Sequence, residues 1–161
     1  MDAPFNERMI DLVKYRLSRA EESLEASRIL IQNGLYKEAA GRSYYCVYHT
    51  LRSLVALDGT EYKKHAGNIT HFHKEYVKPG IFDKHLGDIV QSSFYCREES
   101  DYKDFYIIDK KSVEEQVQNA ELFYHQISLY IENERGIKLS ERESAEPTLN
   151  EETVQKNKPH L

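Results

Sequence analysis

From Ala39 to Leu57 the chain reads AAGRSYYCVYHTLRSLVAL, a run without Lys, Asp or Glu. Charged residues make up 30% of the whole sequence, so a gap of this length is a strong constraint. Asn33-Gly34 lies shortly before it and Asp58-Gly59 directly after it, which are helix-ending signals. A helix with one buried face carries Lys and Glu on its back. This one carries Arg42, His49 and Arg52 among small and apolar residues. The simplest account is a second buried surface, made by another helix or by another subunit.

The rest of the chain is also punctuated into helices. Ile10, Val13, Leu17, Ala20, Leu24, Ser27 and Ile31 recur at three and four residues, which predicts a helix from about 6 to 32. The second helix spans about 36 to 57, and the short link makes the two antiparallel neighbours. A shorter helix is expected over 65–77, closed by Pro79-Gly80. Another follows over about 82–98, with Phe82, Leu86, Ile89, Val90 and Phe94 on its apolar face. Residues 99–111 read as an ordered loop. Ser112 and Glu115 form a capping box for a last helix bearing Val113, Val117, Ala120, Tyr124, Ile127 and Ile131. No period-two pattern persists. The fold class is therefore all-α: an antiparallel, up-and-down helical bundle of four main helices plus one shorter helix, over residues 1–135. The polar segment 136–161 reads as a disordered C-terminal tail.

No apolar run has the length of a membrane span. The polar opening MDAPFNERM has no signal-peptide pattern, so the expectation is a cytoplasmic protein with no membrane association. Cys46 and Cys96 are far apart in apolar surroundings and read as buried free thiols. The net charge of −5 argues against broad electrostatic binding of nucleic acid and leaves room for a small local basic site.

At 100° per residue, Ala40, Tyr44, Val47, Leu51, Leu54 and Val55 share one arc of the second helix, and Arg42, Cys46, His49 and Ser53 the opposite one. Arg42 and His49 are two turns apart, about 10 Å along the axis. If this face packs on its own copy about a two-fold axis, two guanidiniums and two imidazoles share one cleft. Arg can hold a scissile phosphate, while one His takes a proton from a ribose 2′-hydroxyl and another protonates the leaving oxygen. That chemistry cleaves RNA without a metal. The structural alternative stays open: Arg42 pairs with an acid of a neighbouring helix and His49 bonds a carbonyl.

The segments GLYKEAAGRSYYCVYHTLRSL, KKHAGNITHFHKEYVKPGIFDKHLGDIV and REESDYKDF resemble the HEPN superfamily, and within it the stand-alone UPF0332 type. The likeness covers roughly residues 10–132. Arg-Ser-Tyr-Tyr-x-x-Tyr-His matches the family's R-x-Y-Y-x-x-F-H segment and its wider Arg-x4–6-His signature. The resemblance implies a helical bundle, commonly a homodimer, with both motifs at the interface. It implies a metal-independent endoribonuclease with no cofactor, acting on RNA as the toxin of a toxin–antitoxin pair. The antitoxin partner would be a minimal nucleotidyltransferase. Arg42 would bind phosphate and His49 would act as general base or acid. The family also contains non-catalytic modules that bind a nucleotide or a nucleotidyltransferase. Ser43 stands where active members often carry Asn, Asp or His; its hydroxyl could still bind by hydrogen bonding. Leu51 occupies the place where some toxins carry a modifiable Tyr, so that control is in doubt. Tyr44, Tyr45 and Tyr48 are nearby alternatives and otherwise packing groups.

Arg97, Asp101 and Tyr102 form the second matching segment. Tyr102 could stack on a base and Arg97 could hold a phosphate; the plainer reading is an Arg97–Asp101 pair that steadies the loop. His71 and His73 lie about 200° apart on a helix, so they do not make a metal pair, and no metal site is expected.

Overall fold

The computed structural model describes residues 6–104 and 106–139, and five α-helices account for most of them. They are α1 (Glu7–Gln32), α2 (Tyr36–Leu57), α3 (His65–Phe72), α4 (Lys84–Tyr102) and α5 (Lys110–Asn133). A π-helical turn, His73–Val77, continues α3. No strand occurs among the described residues, and the fold is an all-α bundle of four main helices and one shorter one. None of these helices is long and apolar enough to cross a membrane.

Each boundary has a local cause. The Asn6 side chain accepts from the Met9 amide at 2.7 Å and caps α1. At the other end Gly34, with φ 73°, lets the Leu35 amide return to the Leu30 carbonyl at 2.9 Å. Gly59, with φ 72°, ends α2 in the same way, and the Thr60 amide bonds the Val55 carbonyl at 3.2 Å. Two boundaries differ from the sequence reading. Helix α4 runs to Tyr102, so residues 99–102 are helical rather than loop. Its Lys103–Glu99 and Arg97–Asp101 pairs, four residues apart, stabilise that extra turn. And α5 is capped by Asp109, whose carboxylate accepts from the Ser112 amide at 2.7 Å; Ser112 lies inside the helix.

Helix α2 is the axis of the bundle. It packs most extensively on α1, and also on α5, α4 and α3. Leu51, Leu54, Val55 and Leu57 are almost fully buried with Leu17 of α1, Phe72 of α3 and Phe123 and Ile127 of α5. Burying one such side chain contributes about 1.5–3 kcal/mol. The second buried surface expected on α2 is supplied within the chain for Cys46 and Ser53, which the angular reading set on the back. Cys46 is fully buried with its thiol 3.9 Å from the Ala120 carbonyl of α5. Thr50 and Ser53 satisfy themselves on the Cys46 and Thr50 carbonyls of their own helix, at 2.8 and 2.5 Å. Both cysteines are free and buried, and burial pushes the Cys46 thiol up to about 12.

A polar knot ties the far end of α2 to three other segments. Asp58 accepts from Tyr76 Oη at 2.6 Å, His71 Nε2 at 2.8 Å and an Arg135 nitrogen at 3.1 Å. With Nε2 donating, His71 Nδ1 accepts from the Tyr62 hydroxyl at 3.1 Å. His73 instead faces Gln91 at 3.0 Å. Past α5, Ile137 is buried in the core and the Leu139 amide bonds Glu132 at 2.9 Å. The remainder of the tail assigned to 136–161 lies outside the described residues.

Candidate functional site

The part of α2 that its neighbours leave open is a stripe of Arg42, Tyr45, His49 and Arg52. These positions recur at three and four residues, so they stack along one side of the helix. Arg42 is exposed; Tyr45, His49 and Arg52 are half-buried. Together with Arg19 and Leu30 of α1, and Glu38 and Gly41 of α2, three of them line an open groove of about 610 Å³. Arg42 and His49 therefore do share one solvent-reachable face. Ser43 does not join them. It is buried at 3% exposure and donates to the Ala40 carbonyl at 2.8 Å.

His49 has an unusual setting. Partial burial comes first among the causes, and the cations Arg19, Arg52 and Arg16 follow; together they push its imidazole down to about 4. Only Glu22 acts in the other direction among the named neighbours. At neutral pH the ring is therefore uncharged and one of its nitrogens is a free acceptor. Arg16 is buried at 7% exposure, with one nitrogen donating to the Arg52 carbonyl at 2.9 Å. Glu61 lies 3.9 Å from Arg16 and 3.8 Å from Arg52, at the outer limit of an ion pair. Arg19 is held by Glu22 at 2.8 Å. Sequence reasoning missed Arg16 and Arg19. The available signal was spacing: Arg16 lies three residues after Val13, on the buried stripe of α1, where a charged residue needs a reason.

The second segment lies beside the first, and Tyr45 joins them. The Tyr45 and His49 ring centroids are 5.9 Å apart, and the Arg97 guanidinium carbon stands 4.9 Å over the Tyr45 ring. The same guanidinium is 4.9 Å from the Tyr44 ring, 3.3 Å from Asp101 and 3.4 Å from His65 Nδ1. Arg97 is thus engaged by its own protein, as the plainer sequence reading has it. Tyr44, buried, donates its hydroxyl to His65 Nδ1, and burial raises its pKa. His65 stacks on Tyr48 at 4.1 Å and 5°, and burial with Arg97 and Arg52 lowers its pKa. Tyr102 stands apart, 83% exposed at the end of α4. Sequence reasoning gave His65 no role. Its role as the neutral centre of this stack depends on α3 crossing α2, which spacing does not reveal.

A helical bundle whose open helix face displays Arg-x6-His defines a class, and the comparisons agree. The model of the HEPN domain family matches residues 13–130, so the chain belongs to the HEPN family. A UPF0332 protein of Thermotoga maritima is 29% identical over 76% of this chain and 92% of its own length. The Methanocaldococcus jannaschii protein named "Putative toxin MJ0605" is 32% identical over 79% of this chain and 94% of its own. The crystal structure of ST0689, an archaeal HEPN homologue, superimposes with a TM-score of 0.54 at 19% identity, over 74% of this chain and 97% of that one. That last likeness speaks to the fold.

Proposed function

We propose that the protein is a metal-independent endoribonuclease that works as a homodimer, the toxin of a toxin–antitoxin pair, in the cytoplasm. The observation that carries this reading is a neutral His49 on the same open face as Arg42, within a cluster of arginines. The toxin wording in the name of the 32% identical relative supports the biological role. His49 accepts the ribose 2′-proton. The 2′-oxygen attacks the adjacent phosphorus, the bond to the 5′-oxygen breaks, and a second imidazole across the two-fold axis supplies that oxygen with a proton. The products are a 2′,3′-cyclic phosphate and a 5′-hydroxyl. Arg42 neutralises the charge that grows on the non-bridging oxygens. Arg19 belongs in the same role, since it lines the groove with Arg42.

The test is RNA cleavage in EDTA by wild type, His49→Ala and Arg42→Ala, with light scattering for the dimer. Wild-type cutting with loss of at least about 100-fold in each variant is expected. No wild-type cutting, or equal cutting by all three, refutes the enzyme.

A second reading has one specific observation behind it. Ser43, directly after Arg42, is buried on its own helix and adds no polar group to the open face. On that reading the groove is a non-catalytic module that docks a minimal nucleotidyltransferase or binds a nucleotide. Binding of either with no cleavage of any RNA would favour it.

A further inference from the structure

A second depression, of about 300 Å³, opens where α3 meets α4. The chemistry of Arg42 and His49 leaves it unused. Its walls are rings: His65, backed by Tyr48 at 4.1 Å, and Phe94, 6.3 Å from His65. Tyr102 stands at its rim as a largely solvated ring. Its polar lining carries two carboxylates, Glu98 and Asp101, and two cations, Lys64 and Arg97. Asp101 is anchored by Arg97 at 3.3 Å, and Arg97 is itself fixed over Tyr44 and Tyr45. Asp101 thus keeps one carboxylate oxygen on Arg97 and stays more than half exposed to solvent. A third hollow, lined by Glu38, Gly41, Arg97 and Asp101 among others, connects this pocket to the groove of Arg42 and His49.

We propose that this pocket is a nucleobase subsite that selects guanine in a nucleotide neighbouring the cleaved phosphate; it rests on the endoribonuclease reading. Ring faces accept any base by stacking. The carboxylates are acceptors for the hydrogen-bond donors of a base edge. Guanine offers adjacent N1–H and N2 amino donors, which one carboxylate takes in parallel. Adenine and cytosine offer one amino group. Uracil sets its single N–H between two carbonyl oxygens, both of which oppose a carboxylate. Lys64 supplies the cation for the nucleotide's own phosphate.

The probes are 2′-O-methyl trinucleotides, which cannot be cut, with guanine, inosine or uracil in the central position. Their binding to the full chain is read by fluorescence anisotropy. Guanine should bind about tenfold tighter than inosine, which lacks only the amino group, and tighter again than uracil. In Glu98→Gln/Asp101→Asn the ratio of guanine to inosine should fall to about one, and Tyr102→Ala should weaken all three together. In parallel, wild type is offered cleavable oligouridine with one guanine, and cut sites are mapped. Equal binding of the three bases, or a ratio unchanged in the double variant, overturns the subsite. Absent cleavage with retained guanine preference overturns the endoribonuclease reading and leaves the subsite standing.

Discussion

The low proton affinity of His49 has a consequence for stability that activity measurements do not touch. In the unfolded chain the imidazole takes a proton below about 6.5. In the folded chain burial and the arginines Arg19, Arg52 and Arg16 hold that event down to about 4. Between those values the unfolded state binds the proton and the folded state does not, so stability falls as pH falls through that window. Taken at face value, the shift removes about 2 kcal/mol between pH 7 and pH 5. The ring is only half-buried and water screens part of the effect, so about 1 kcal/mol is the expected loss. The perturbation is His49→Gln, which keeps an amide of similar reach and cannot titrate. Urea unfolding of both proteins at pH 7 and pH 5 gives four stabilities. Other titrating groups, His65 included, contribute alike to both proteins and cancel in the double difference. Wild type should lose about 1 kcal/mol more than His49→Gln over this range. Equal losses would refute the lowered proton affinity attributed to burial and the arginines. Arg19→Ala should raise the His49 pKa, read directly by the NMR titration of its ring protons.

Four further substitutions test the framework. Asp58→Ala leaves buried Tyr76 and His71 without their acceptor, and should cost about 2–3 kcal/mol in urea unfolding. Asp109→Ala should cost about 1 kcal/mol and Ser112→Ala less than about 0.5 kcal/mol, because Asp109 and not Ser112 caps α5. In Gly67→Ala a new Cβ would lie 2.9 Å from two Tyr62 carbons, so a loss of about 1–3 kcal/mol is expected in thermal unfolding.

The bundle was legible because its signals are local. Gly34 and Gly59 end helices by positive φ, and the three-four recurrence of Val13, Leu17, Ala20 and Leu24 names the buried face of α1 without any tertiary knowledge. The ends of α4 and α5 were less legible. A run such as REESDY contains no breaker, and whether it continues a helix depends on ion pairs that only the formed turn brings together. The back of α2 was half legible. A single 100° projection put Cys46 beside His49, but four helices converge on α2, and α5 claims Cys46 while leaving His49 open. Arg42 and His49 could be read from one helix. Arg16 and Arg19 could not be joined to them, because α1 and α2 meet side by side only in the folded bundle.

The composition of this groove also bears on how an acidic chain could handle RNA. The cations that line it are Arg19 and Arg42, and Arg16, buried nearby, acts on His49. Burial and Arg52 lower the proton affinity of Arg16, yet a guanidinium starts so far above neutrality that the charge persists. The fixed charge has two effects on the endoribonuclease reading. Before RNA arrives it holds His49 in the base form. Once a phosphate sits among Arg19, Arg42 and Arg52, its negative charge offsets theirs, and the imidazole can keep the proton it takes from the 2′-hydroxyl. The same anion would raise the proton affinity of a second His49 across the two-fold axis, which that ring needs in order to act as the acid. On the endoribonuclease reading, the substrate itself supplies the charge that sets up the proton transfers.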